Sequence, residues 1–205
     1  MIAVINYGLG NVNSIINMLK KIGEKDAVLA STPSTIEQAD KIILPGVGAF
    51  DTGMNLLNKS KLINAINEHV IKKGKPILGI CLGMQMLGIS SEEGNCEGLG
   101  YINFTNKKFV FKEQILRVPH MGWDYVTIVQ NNNPLTSGNI VPARYYFVHS
   151  YHAVCKNTAD ILMQCDYGYL FTAAVNKGNI YGVQFHPEKS HKYGMQLLSN
   201  FAKVC

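Results

Sequence analysis

A cysteine framed by glycines, Gly79-Ile80-Cys81-Leu82-Gly83, and a histidine–carboxylate pair, His186-Pro187-Glu188, are the residues here whose types and spacing could do chemistry. The first matches the G-x-nucleophile-x-G pattern of a strand-to-helix elbow, with sulfur in place of a serine oxygen. Glycines two residues either side allow neighbouring backbone to approach where a Cβ would clash. At a helix N-terminus, unpaired N–H groups and the helix dipole would favour the Cys81 thiolate. The N–H of Leu82 would point at an oxyanion formed on a carbonyl under attack. A buried structural cysteine in a Gly-rich turn is the competing reading.

His186 and Glu188 lie two apart, and in extended backbone such residues point the same way. Pro187 fixes φ between them and disfavours helix at His186. An imidazole with a carboxylate orienter suits a thiolate that needs a base, and then an acid for the leaving amine. Alone, the tripeptide reads equally as a surface turn. Together with a cysteine elbow, it points to covalent catalysis at a carbonyl.

The elements that must position these groups follow from periodicity. Ile2 to Asn6 reads as a strand, followed by Tyr7-Gly8-Leu9-Gly10-Asn11, half of a dinucleotide fingerprint whose third glycine is replaced by Asn13. It is a plain βα turn, with Asn11 or Asn13 capping a helix that carries Ile15, Met18, Leu19 and Ile22 inward and closes at Gly23. A strand over Asp26 to Ala30 and a short helix over Ser34 to Ala39, capped by Ser34, come next. A third strand, Lys41 to Leu44, runs into Pro45-Gly46-Val47-Gly48-Ala49-Phe50, whose glycines would let backbone N–H groups approach a ligand. Asn55 to Lys73 reads as one long amphipathic helix before the elbow strand. The β-α alternation of the first 90 residues predicts a parallel sheet covered on both faces. Ligands of such sheets bind beyond the strands' carboxyl ends, where the Pro45–Gly48 turn and Cys81 both fall.

After about residue 95 the rhythm changes to strands and short turns: 99–105, 109–111, 115–118, 125–129, 145–151, 161–165, 172–175 and 180–184. A last helix spans about His191 to Val204. With no linker or composition shift, this half extends the first as antiparallel or mixed sheet, giving one α/β domain over 1–205.

The 205 residues are 47 % hydrophobic and 16 % charged, the make-up of an ordinary globular protein. The longest apolar run, Ile77 to Ile89, is too short to span a bilayer, and the N-terminus reads as a strand rather than a signal peptide. Five scattered cysteines without a C-x-x-C pair support neither a disulfide framework nor a metal site, so a reducing cytoplasm is expected. The net charge of +5 comes from lysine pairs without interleaved aromatics, a solvated face rather than a nucleic-acid site. His69, in a Lys-rich helix end, is expected to be solvated. His120, His149 and His152 sit beside aromatics and could face core, partner or substrate.

Together these motifs resemble the class I (triad) glutamine amidotransferases. Leu44-Pro45-Gly46-Val47-Gly48-Ala49-Phe50, the Cys81 elbow with Met84-Gln85, Val118-Pro119-His120-Met121-Gly122-Trp123, Tyr146-Phe147-Val148-His149-Ser150-Tyr151 and Gly182 to Ser190 narrow the likeness. They resemble the glutaminase subunits of imidazole glycerol phosphate synthases. The resemblance implies a flavodoxin-like fold, no cofactor and the substrate L-glutamine. It also implies a separate (β/α)8-barrel cyclase partner that receives ammonia in a heterodimer. It makes Cys81 the nucleophile, His186 the acid/base and Glu188 its orienter. Val47, Gly48 and Leu82 would form the oxyanion hole, with Gln85, Glu93, His149, Ser150 and Tyr151 holding glutamine. His120, Met121, Trp123 and Tyr146 would lie towards the partner. Asn6 and Asp124 depart from the family's usual aspartate and asparagine. They keep open a paralogue that feeds ammonia to sugar amidation for surface polysaccharides, and a stand-alone cysteine hydrolase is a further alternative.

Overall fold

Ile2 and Val4 of the first strand pack into one core, while Ala3 and Ile5 pack into another. That period-two split is what a strand covered on both faces requires. The computed structural model describes residues 1–112 and 116–205. The first half alternates β1 (Ile2–Ile5), α1 (Val12–Lys21), β2 (Ala27–Ala30), α2 (Pro33–Gln38), β3 (Lys41–Gly46), α3 (Phe50–Lys59), α4 (Ile63–Asn67), β4 (Ile77–Cys81) and α5 (Leu82–Met86). Then follow β5 (Ser90–Ser91), β6 (Phe104–Lys108), β7 (His120–Ile128), β8 (Ala143–His149), β9 (Tyr151–Cys155), β10 (Ile161–Asp166), β11 (Leu170–Lys177), β12 (Ile180–Val183) and α6 (His191–Lys203).

One twelve-stranded sheet runs β2-β1-β3-β4-β12-β11-β10-β7-β8, with β9 joining β11 to β6 and β6 joining β5. Pairing is parallel from β2 to β12 and antiparallel from β12 through to β8. α1 and α6 cover one face through Ile15, Leu19, Leu197 and Phe201. α2 to α5 cover the other through Ile36, Phe50, Leu57, Ile66 and Met84. Each such side chain, once fully buried, contributes on the order of 1.5–3 kcal/mol. The decisive feature is the insertion of β12, late in sequence, beside β4, with Val183 level with Ile80. It brings the segment leading to His186 next to Cys81. No helix among the described residues is long and apolar enough to cross a membrane.

Several expectations are corrected. The helix predicted over 55–73 is broken. Ser60 Oγ donates to the Leu57 carbonyl (2.6 Å) and accepts from Leu62 N–H (3.3 Å), Lys61 takes φ +62°, and Glu68–Lys72 forms a wider π-type turn. Thr32, not Ser34, caps α2, because Pro33 occupies the first helical position and the cap must precede it. Residues 99–102 are no strand, since their N–H groups bond back to the carbonyls of Met86, Leu87 and Gly88 at the end of α5. Residues 109–111 are not in a strand either, and Leu116–Val118 is irregular. Ile115, the start of the strand expected there, lies outside the described residues. The strand expected over 145–151 splits at Ser150 into β8 and β9. His69 is buried rather than solvated, and neither ring nitrogen has a hydrogen-bond partner among the described residues.

Candidate active site

Cys81 ends β4 with φ +55° and ψ −112°, a conformation that costs a non-glycine residue free energy and persists only under tight packing. The packing comes from the flanking glycines. A Cβ on Gly79 would lie 2.7 Å from the Gly83 carbonyl oxygen, and one on Gly83 would overlap the Leu44 carbonyl oxygen in β3. With glycine at both places α5 sits directly on the ends of β3 and β4, so the elbow has nowhere to relax. Leu82 is the first residue of α5, where an amide has no acceptor within the helix.

His186 and Glu188 are brought together by a different local structure from the one expected. His186 is extended, but Pro187 opens a short 3-10 turn, and that turn sets His186 Nδ1 2.8 Å from Glu188 Oε1. Both side chains are buried. The backbone of His186 is pinned from two sides. Its N–H donates to the Tyr146 carbonyl of β8 at 2.9 Å, and its carbonyl accepts from Ser190 Oγ at 2.6 Å. Ser190 Oγ in turn accepts from Tyr146 N–H. Burial alone would drive the imidazolium off, yet the Cys81 sulfur and the Glu188 carboxylate outweigh it and push His186 up to about 10. Burial likewise works against the Glu188 carboxylate, but His186 and Asn11 overcome it and hold the group below its ordinary range. His186 Nε2 has no hydrogen-bond partner among the described residues and is left to act on the cavity.

That cavity, of about 440 Å³, is lined by Val47, Gly48, Cys81, Leu82, Gln85, Glu93, His149, Ser150, Tyr151 and His186, among others. The sequence-predicted nucleophile, base and substrate residues thus meet around one space; Glu188 stands behind His186. Gly48 takes φ +102°, open to glycine alone without strain. Glu93 Oε2 accepts from Phe50 N–H at 2.8 Å, at the start of α3. Gln85 donates to the Tyr151 carbonyl (3.2 Å) and to Gln184 Oε1 (3.1 Å). His149 is fully enclosed; burial above all, and then its histidine neighbours, press it down to about 3, so its ring is neutral.

Three residues escape the sequence reading. Gln184, wholly buried, donates through Nε2 towards Cys81 Sγ at 3.8 Å. Tyr7 donates to the Pro45 carbonyl at 2.9 Å and ties down the turn beside the nucleophile. Asn11 stands at the N-cap of α1 but makes no side-chain cap bond; its Nδ2 reaches Glu188 Oε1 at 3.0 Å. A polar residue directly after the buried strand β12 and two before His186 was the available signal for Gln184. Nothing local distinguishes Tyr7 or Asn11.

The four residues assigned to the partner do not share one environment. Met121 is 62 % exposed. Trp123 and Tyr146 are partly exposed on neighbouring strands, 6.3 Å apart by ring centres. His120 is buried, so of the core, partner and substrate readings left open for it the core one describes this chain by itself. Its ring lies between Phe147 and Tyr167, with Nδ1 3.2 Å from His149 Nε2. Among the described residues, no group of three or more His, Cys, Asp or Glu side chains could hold a metal ion.

A strained thiol beside a buried imidazole–carboxylate pair, with backbone amides at the cavity wall, can form and hydrolyse a thioester at a carbonyl. Residues 3–205 match the family described as Glutamine amidotransferase class-I. The chain is 52 % identical over 204 residues, 100 % of each sequence to the nearest per cent, to "Imidazole glycerol phosphate synthase subunit HisH 2" of Pseudomonas aeruginosa. It is 52 % identical over 203 residues, 99 % of each, to the like-named protein of Methanococcus maripaludis. Among solved structures it resembles that of PurLQS from Thermotoga maritima, with a TM-score of 0.71 at 19 % identity over 98 % of this chain and 96 % of that one.

Proposed function

We infer the reaction from one premise, that the chain belongs to the class-I glutamine amidotransferases: it hydrolyses L-glutamine to glutamate and ammonia, as the glutaminase subunit of an imidazole glycerol phosphate synthase in histidine biosynthesis. The observation that carries this is the convergence of Cys81, the His186–Glu188 pair and the Pro45–Gly48 turn on one cavity.

Cys81 thiolate attacks the side-chain amide carbon of glutamine. The Leu82 N–H and the Val47–Gly48 backbone receive the oxyanion, where such donors are worth about 10²–10³ in turnover. His186 gives its proton to the departing nitrogen, ammonia leaves, and a γ-glutamyl thioester remains on sulfur. Water, deprotonated by His186, then attacks the thioester, and glutamate departs as the Cys81 thiolate and imidazolium are restored. Glu188 holds the ring's tautomer and stabilises its charge throughout. Gln85, Glu93, His149, Ser150 and Tyr151 enclose the amino-acid end of the substrate. The whole chain, 1–205, acts as one amidotransferase domain, and ammonia passes to a separate barrel cyclase docked over Met121, Trp123 and Tyr146.

Cys81→Ala should abolish ammonia release from glutamine, measured with a barrel cyclase present. Ammonia release that survives this change refutes the mechanism. A second reading draws on the relatives' names. Both relatives at 52 % identity are named with the number 2. This favours a paralogue that supplies ammonia for sugar amidation. Stimulation of the glutaminase by the organism's second barrel protein, and not by its histidine-pathway cyclase, would establish that reading over the first.

A further inference from the structure

Asn11 gives up what its position offers. An asparagine at an N-cap ordinarily accepts from an N–H two or three residues on, and that bond is missing in α1. Its carboxamide instead donates to the one oxygen of Glu188 that also receives His186 Nδ1, at 3.0 and 2.8 Å respectively. The Glu188 side chain is 1 % exposed, so no bulk water competes for that oxygen. The loop before Asn11 is wedged in place. Tyr7 is bonded to the Pro45 carbonyl, and Gly10 packs so closely that a Cβ there would lie 2.9 Å from Pro45 Cβ. A neutral donor is also the only kind that suits the spot. A second carboxylate would repel Glu188, and a cation would draw it away from His186.

We infer that Asn11 is a positioning residue of the catalytic triad, whose carboxamide fixes Glu188 Oε1 against His186 and keeps the carboxylate charged and aimed. This rests on the roles given above to Cys81, His186 and Glu188, but not on the identity of the substrate. The test is the pH dependence of Cys81 alkylation by iodoacetamide in the full chain, followed peptide by peptide because four other cysteines are free. A weaker Glu188 holds less imidazolium beside the sulfur, so thiolate forms only at higher pH. The acid limb of the alkylation profile should rise by about one pH unit in Asn11→Ala, which corresponds to about tenfold in rate at a pH on that limb. It should rise as far in Asn11→Ser. Serine caps helices as well as asparagine does, so this variant keeps α1 while its short, uncharged side chain gives up the bond to Glu188. A merely structural Asn11 predicts a lower melting temperature in Asn11→Ala with the limb unmoved. An unmoved limb in Asn11→Ser, or one shifted to lower pH, overturns the inference. Glutamine takes no part in alkylation, so a chain that fails to turn over glutamine would sink the proposed reaction and leave this result standing.

Discussion

Replacing Glu188 by glutamine isolates the contribution of one buried charge. The shapes match, and the glutamine oxygen can still accept from His186 Nδ1 and Asn11 Nδ2, which now bond to Glu188 Oε1 at 2.8 and 3.0 Å. Only the charge is lost. Unit charges about 4 Å apart attract by about 4 kcal/mol at an effective dielectric near 20. Desolvation offsets part of this, and hydrogen bonds to charged groups contribute about 1.5–3 kcal/mol net. At about 1.4 kcal/mol per pKa unit, His186 should fall by roughly one to two units from its position near 10. The same loss applied to the transition state lowers kcat/KM by about 10- to 100-fold. The assay is ammonia release against pH with the partner present, where the basic limb should move down by the same one to two units. Stability should follow. A histidine raised on folding stabilises fully below its unfolded value, near 6.5, and the stabilisation is lost as pH rises through about 10. In Glu188→Gln that loss should come at lower pH. A variant with an unmoved basic limb and unchanged rate would refute the assigned role. So would a loss as complete as that of Cys81→Ala, because an orienter's removal leaves nucleophile and base in place.

Two further changes probe the scaffold. Gly83→Ala should destabilise by more than the about 1–3 kcal/mol usual for overpacking, because its Cβ would overlap backbone in β3 rather than a yielding side chain; a melting curve within a degree of the native one would contradict this. His69→Leu should stabilise by about 1 kcal/mol, since burial holds the ring's pKa down and neither nitrogen is bonded. A histidine depressed in this way contributes stability above its unfolded pKa that is lost as pH falls. Denaturant midpoints should therefore separate most between wild type and His69→Leu on the acid side, and equal midpoints at every pH would disprove it.

What the sequence discloses follows the range of the interactions. The elbow is legible because its constraints are local: glycine at 79 and 83 is needed by contacts within a few residues and by one neighbouring strand. The parallel half is legible because β1 to β4 alternate with helices at short spacing. Lys61 is not, because Ser60 ends α3 by a side-chain bond that periodicity does not register. His69 looked solvated among lysines, yet the broken helix turns it inward. The bonds from Asn11 to Glu188 and from Tyr7 to Pro45 join residues 177 and 38 positions apart, and no spacing rule reaches that far. His120 shares its strand parity with Gly122 and Asp124, while Met121, Trp123 and Tyr125 hold the other, so period-two reasoning does not disclose that His120 is the buried one; its burial comes from stacking on Phe147 and Tyr167.

The position of β12 sets an order of events during synthesis. β4 and β11 have no hydrogen bonds to each other; each pairs with β12 and waits for it. A chain emerging from a ribosome therefore carries an open gap in the middle of its sheet until residues 180–183 arrive. The reactive sulfur stays without its proton acceptor for the same interval. The triad is complete only with β12 seated between its two neighbours, because that pairing is what sets Cys81 and His186 on one cavity.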